Sequence, residues 1–200
     1  MSNYEERFNI AKQLHSSGRI EESQKIYLDL AKIYKNNYTL FYLIGTTFLQ
    51  LKKFDDAIDN FHTSIDINSN FPEVYNNLGI ALAEKEKYSE ALENYNKAIK
   101  LKNDYIDAHI NRGVSLNKLK KFQDAISDLN FVIKTQPLNP LAHNNLGNIF
   151  KELKNYNEAI NSYDKAININ QNYLEAINNK ALILNFQKKY ENSIKELNKI

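Results

Sequence analysis

Four asparagines, Asn77, Asn111, Asn145 and Asn179, follow one another at intervals of 34 residues, and Asn9 stands two intervals before Asn77. Leu43 holds the position between. A carboxamide carries one acceptor oxygen and two donor hydrogens. A row of carboxamides can therefore bond the N–H and C=O groups of an extended polypeptide without reading its side chains. The chain holds 30 asparagines in 200 residues, so composition alone would put about one of them in a set of six positions. Asparagine is also a mediocre helix former, so propensity does not account for the column. The plainer reading, solvated polar residues in an asparagine-rich chain, stands beside it.

Other chemistries lack their residues. The histidines are His15, His62, His109 and His143. None has a second histidine or a cysteine three or four residues away, and a zinc site needs three or four converging ligands. The chain has no cysteine, and it shows no glycine-rich phosphate loop, nucleophile elbow or zinc-hydrolase motif. Aspartates and glutamates are plentiful and are expected at solvated positions. No catalysis, cofactor or metal is expected within these residues. The formal charge of +2 gives no electrostatic footprint for nucleic acid or an anionic membrane.

The asparagine column belongs to a repeating element, seen most cleanly from Pro72 to Tyr105. Tyr75, Leu78 and Leu82 make one helical face, and Lys85, Glu86 and Lys87 interrupt it. Tyr88, Ala91, Leu92, Tyr95, Ala98 and Ile99 make a second face, and Asn103 and Asp104 end it. Four of the five glycines, Gly45, Gly79, Gly113 and Gly147, keep the same period of 34, and Ala11 and Ala181 continue their column outward. A recurring glycine inside a helix costs up to about 1 kcal/mol against alanine, which implies a close crossing of two helices. The register is Tyr4–Asn37, Tyr38–Phe71, Pro72–Tyr105, Ile106–Asn139, Pro140–Tyr173 and an incomplete Leu174–Ile200.

The period and pattern resemble the tetratricopeptide repeat. The small eighth residue is followed by Leu14, Phe48, Leu82, Leu116, Phe150 and Leu184. A second small column runs Ser23, Ala57, Ala91, Ala125, Ala159 and Ser193, with Tyr27, Phe61, Tyr95, Leu129, Tyr163 and Leu197 four residues on. The family's early tryptophan is absent, and its proline near the repeat end appears only as Pro137. The resemblance implies an all-α, right-handed superhelical solenoid of antiparallel helix–turn–helix hairpins. Such a solenoid is one continuous domain over residues 1–200, because each repeat contacts only its neighbours.

The resemblance further implies that the first helix of each repeat lines a concave groove. The column Asn9, Asn77, Asn111, Asn145 and Asn179 is similar to the asparagine ladder of O-GlcNAc transferase superhelices, which binds the backbone of an extended peptide. Phe8, Tyr42, Leu43 and Leu49 would then form an apolar subsite. The family's two-carboxylate clamp lacks its lysines here: the fifth residues are Phe8, Tyr42, Asn76, Ile110, Asn144 and Asn178. Arg19, Lys53, Lys87, Lys121 and Lys189 form a basic ridge before the second helices. The ridge is read either as a phosphate or lipid contact or as complementarity to helix ends. His109 and His143 share a column and are expected to pack between helices.

No apolar stretch reaches the roughly 20 residues of a membrane span, and no signal peptide is visible, so a cytoplasmic setting is expected. Ile200 falls 27 residues into the sixth repeat, with Leu184, Phe186 and Leu197 lacking a following helix, so the native polypeptide is expected to continue. The sequence points to a non-catalytic protein-interaction module holding a protein or peptide ligand, whose identity and oligomeric setting it does not give. Two other classes stay open: the substrate-recognition arm of a larger enzyme such as a glycosyltransferase, and an RNA-binding helical repeat. A scaffolding role through the convex face is a further possibility.

Overall fold

The computed structural model of the chain describes residues 3–197, and the last three residues of the expected sixth repeat lie outside them. The described residues form twelve α-helices. By internal contacts the chain divides into two compact units, residues 1–108 and 109–200. The first holds α1 (Asn3–Ser16), α2 (Ile20–Ile33), α3 (Tyr38–Gln50), α4 (Phe54–Ile67), α5 (Pro72–Glu84) and α6 (Tyr88–Leu101). The boundary falls within α7 (Ile106–Lys118). The second unit continues with α8 (Phe122–Thr135), α9 (Pro140–Glu152), α10 (Tyr156–Ile169), α11 (Leu174–Phe186) and α12 (Tyr190–Leu197).

Local chemistry sets these boundaries. Proline opens α5 and α9, where its missing N–H is one the helix leaves unpaired anyway. Asn37 and Asn139 cap α3 and α9 by accepting the backbone N–H of Leu40 at 3.2 Å and Ala142 at 3.0 Å. Each turn between the helices of a hairpin carries one residue in the left-handed region. These are Gly18 at φ 81°, then Lys52, Glu86, Lys120, Lys154 and Lys188 at 57–60°. The turn closes with paired bonds, as in Glu86 N–H to Ala83 O and Lys87 N–H to Leu82 O, both at 2.9 Å. This Schellman arrangement satisfies the last carbonyls of the first helix. The basic ridge residues therefore follow the helix C-terminus directly. Arg19 pairs with Glu22 at 2.5 Å and Lys87 with Glu90 at 3.5 Å.

In the second to fifth hairpins the two helices cross on the glycine column. A Cβ on Gly79 would lie 2.5 Å from the Tyr95 ring, and one on Gly147 would lie 2.5 Å from the Tyr163 ring. A Cβ on Gly45 would lie 2.6 Å from Phe61. At Gly113 the opposing residue is Leu129, and the corresponding distance is 3.3 Å. Around these contacts the first unit builds two apolar clusters, one on Tyr27, Leu30 and Ile44 and one on Phe61, Leu78 and Tyr95. The second unit has a cluster on Tyr163, Ile167, Ile177 and Ile183.

The third residue of a repeat, Leu40, Val74, Ala108, Ala142 and Ala176, is fully buried in five hairpins, whereas in the first it is the exposed Glu6. In the sixth hairpin Leu184 is buried, but Phe186 is 72% exposed, Tyr190 58% and Ile194 57%.

Three substitutions separate these effects. Gly79→Ala is expected to destabilise the first unit by about 1–3 kcal/mol, since the Tyr95 ring has no room to move. Gly113→Ala is expected to change stability by less than about 0.5 kcal/mol, the helix gain of about 1 kcal/mol offsetting a tighter contact with Leu129. Glu86→Gly is expected to stabilise by about 0.5–1 kcal/mol by removing left-handed strain at some entropic cost. Urea midpoints of the three variants check the order.

Candidate functional site

First helices in the second unit enclose a cavity of about 280 Å³. It lies between α7, α9 and α11 and is lined by Asn117, Asn145, Asn148 and Asn179, together with Lys118, Lys151, Glu152 and Glu175. Gly113, Ile149 and Leu129 form its apolar part. Asn145, Asn148 and Glu152 come from one stripe of α9, at spacings of three and four that put them on one face.

The amides on this wall differ in what they already bond. Lys151 Nζ donates to Asn179 Oδ1 at 3.3 Å, and Asn179 Nδ2 donates to Asn148 Oδ1 at 3.1 Å. Asn148 Oδ1 also accepts the Tyr163 hydroxyl at 2.8 Å. Burial, reinforced by Glu175 and Glu152, raises the Tyr163 phenol, so it remains a donor across the physiological range. Asn117 Oδ1 is buried with no hydrogen-bond partner. Asn144, just behind the wall, donates to Glu175 Oε1 at 2.9 Å.

Two ion-paired contacts fix the helices that carry the wall. On α7, Arg112 grips Asp128 of α8 through Nε at 2.7 Å and Nη2 at 2.5 Å, and His109 Nδ1 lies 2.9 Å from the same carboxylate. Asp128 is only 4% exposed, which corrects the expectation that every acid here is solvated. Burial alone would raise its pKa, but the Arg112 and His109 bonds outweigh it and hold the carboxyl below its ordinary range. On α11, Lys180 meets Asp164 of α10 at 2.6 Å. His109 and His143 are both buried. The ring of His109 lies 4.3 Å from that of Phe131, and His143 Nε2 lies 3.1 Å from Pro137 O. Both histidines thus pack between helices, as their column suggested.

The other expected site residues are distributed as follows. Asn145 and Asn179 share the cavity, and Asn111 sits half-buried on α7. In the first unit, Asn77 Nδ2 lies 3.3 Å from the Tyr42 hydroxyl and 3.4 Å from Thr46 Oγ1, while its oxygen accepts from Asn76. Asn9 is exposed. Phe8 stacks on Tyr4 at 5.4 Å and packs, with Leu43, against the first cluster. Tyr42 meets Phe71 edge-on at 4.9 Å and packs, with Leu49, against the second. All four of these apolar residues are half-buried. Sequence reasoning missed Asn117, Asn148, Lys151 and the Asp128 cluster. The stripe Asn145–Asn148–Glu152 was the available signal for the second of these. Among the described residues, no group of three or more His, Asp or Glu is placed to hold a metal. Among the described residues, no helix is long and apolar enough to cross a membrane.

A TPR-repeat family model matches residues 45–86 and 81–120, and a tetratricopeptide repeat model matches residues 140–173. No curated protein sequence matches. Among solved structures, YrrB, described as a TPR protein with an unusual peptide-binding site, is 22% identical. The match covers 86% of this chain and 88% of that one, with a TM-score of 0.70. A thermophilic TPR protein of Thermus thermophilus is 19% identical over 90% of this chain and 98% of its own, with a TM-score of 0.73. A tetratricopeptide repeat protein of Parabacteroides merdae is 16% identical over 100% of this chain and 79% of its own, with a TM-score of 0.83. These likenesses establish the all-α helical-repeat solenoid as the fold class.

A depressed carboxyl contributes stability above its unfolded pKa and loses it as pH falls through the folded value. Asp128→Asn is expected to destabilise by about 1–3 kcal/mol near neutral pH, since it removes the buried charge that the Arg112 and His109 bonds meet. The variant should also lose part of the stability decline that the native chain shows below about pH 4. Urea titrations at several pH values check both.

Proposed function

The chain belongs to the tetratricopeptide repeat family, whose members bind protein or peptide partners, and we propose that it is a non-catalytic module that holds an extended segment of a partner on its first-helix face. The observation that carries this reading is the unused hydrogen-bonding capacity in the α7–α9–α11 cavity. Asn145 lines it without an internal hydrogen bond, and Asn117 brings a buried acceptor with none. Folded chains rarely leave buried polar atoms unpaired, so a ligand that supplies the missing partners gains affinity from a cost already present. YrrB is described as having a peptide-binding site of its own, which is consistent with this use of the fold.

In the first unit the proposed contacts are Asn9 and Asn77, with Phe8, Tyr42, Leu43 and Leu49 offering half-exposed apolar surface. In the second they are Asn111, Asn145 and Asn179. The lysines and glutamates of the cavity wall balance in number, Lys118 and Lys151 against Glu152 and Glu175. That balance favours a ligand without strong net charge and disfavours a nucleic-acid backbone.

The test is a pull-down from extract of the source cells, read by mass spectrometry, with the wild-type chain beside Asn111→Ala/Asn145→Ala. Circular dichroism first establishes equal helicity. Loss of a defined set of partners is expected, with about tenfold or greater weakening for a partner measured directly, as two lost hydrogen bonds imply. Equal retention by both baits would move the binding surface off these helices.

A further inference from the structure

We infer that the α7–α9–α11 cavity takes the carboxamide side chain of a glutamine or asparagine from the bound segment. This rests on the reading of the first-helix face as a peptide-binding surface and names what its cavity selects.

Lys151 fixes the donors and acceptors of the wall in turn. An ammonium can only donate, so the Asn179 atom facing Lys151 Nζ at 3.3 Å is the oxygen. Asn179 must then offer Nδ2 to Asn148, and the Asn148 atom 3.1 Å away is its oxygen. That oxygen also receives the Tyr163 hydroxyl at 2.8 Å. The orientation of Asn148 is thereby fixed, and its Nδ2 group stands without a hydrogen bond in the cavity wall. Across the same cavity lining, Asn117 Oδ1 is an acceptor without a partner. Asn145 lines the cavity with its whole amide unengaged.

The wall therefore asks for a ligand group with a donor and an acceptor on one small planar head. A carboxamide supplies both: its oxygen accepts from Asn148 Nδ2, and its N–H₂ donates to Asn117 Oδ1 or Asn145 Oδ1. Asn117 Oδ1 lies inside the wall. A modest turn about the soft terminal torsion of the side chain presents it to the cavity, with no existing bond to break. A group that enters the cavity reaches it, whereas a main chain passing across the mouth does not.

Ionised and apolar heads fail on the same atoms. A carboxylate brings no proton to Asn117. An ammonium brings no acceptor to Asn148. A hydrocarbon leaves both unpaired, at the cost of burying unsatisfied polar groups. The cavity, at about 280 Å³, is below the roughly 300–1,000 Å³ typical of small-molecule sites, which suits one side chain. Its two lysines and two glutamates leave no net charge to prefer an ionised head.

The experiment is selection from a random peptide library displayed on phage, using the full chain as wild type, Asn145→Ala and Asn148→Asp. Aspartate keeps an acceptor for Tyr163 and Asn179 but replaces the Nδ2 donor with a second acceptor oxygen. Wild type is expected to enrich glutamine or asparagine several-fold at one peptide position. Asn148→Asp is expected to replace that enrichment with lysine or arginine at the same position, a swap that a merely structural role would not produce. Peptides that need Asn145 but show no carboxamide preference, or the same preference with Asn148→Asp, would overturn the cavity assignment while leaving the groove reading in place. Failure to select any peptide, or selection indifferent to Asn145→Ala, would overturn both.

Discussion

The second to fifth hairpins each depend on one contact, the ring or leucyl group of the second helix seated on the glycine of the first. Where the partner is Tyr95 or Tyr163, even a methyl group on the glycine would sit 2.5 Å from a ring carbon. Interior packing tolerates no such overlap, so the two backbones are held at a distance that only glycine permits. Their separation sets which residues of the first helix turn away from the hairpin. The asparagine column lies two residues before the glycine, and Asn148 lies one residue after Gly147. The close crossing at Tyr163 thus places its hydroxyl within reach of Asn148, and a packing constraint becomes a constraint on the cavity wall. The first hairpin shows the contact without its polar extension. Ala11 replaces glycine, Lys12 stands where Asn148 does, and the Tyr27 hydroxyl is buried without a partner, with burial raising its pKa to about 12.

The turn between the helices is the second fixed feature, and it is held against the preference of its residues. A left-handed conformation costs a non-glycine residue roughly 1–2 kcal/mol, yet lysine or glutamate occupies it in five of six turns. The cost is offset locally, because the two bonds of the Schellman closure satisfy carbonyls that would otherwise end the helix unpaired. It is offset again by the apolar residue that follows, such as Tyr88 or Tyr156, which is half-buried. The geometry is therefore imposed by the hairpin and does not depend on the glycine that Gly18 alone retains.

The period, the hairpins and the glycine crossings were legible in the sequence because each is a column that repeats. A constraint written six times survives noise at any one position. The cavity was only half legible for the converse reason. Asn145 and Asn179 stood in a repeating column, but Asn117 and Asn148 occupy columns whose other members include Leu49 and Ala83, or Ile80 and Leu182. What brings them together is the packing of neighbouring repeats, which a single repeat does not record. The Asp128 cluster escaped for the same reason. Its column elsewhere holds Ile26, Asn60, Asn94 and Ser162, so nothing periodic announces a buried carboxylate. A pair of bonds from Arg112 makes it tolerable there.

Equal residues in one column also acquire unequal roles. Asn77 is tied to Tyr42, Thr46 and Asn76, and Asn179 is tied to Lys151 and Asn148, whereas Asn145 faces the cavity unengaged. The difference arises outside the column. Tyr42 and Thr46 belong to the repeat before Asn77 and offer it hydroxyls; Lys151 offers Asn179 a charge, and a charged donor binds an amide oxygen more strongly than a neutral one. The corresponding neighbours of Asn145 are Ile110, Val114 and Asn117, which offer two apolar side chains and an amide whose own oxygen is unpaired. A ladder read from sequence assumes that every rung is equally open. In the folded chain a rung stays unbonded where its neighbours on the preceding repeat cannot bond it, as at Asn145.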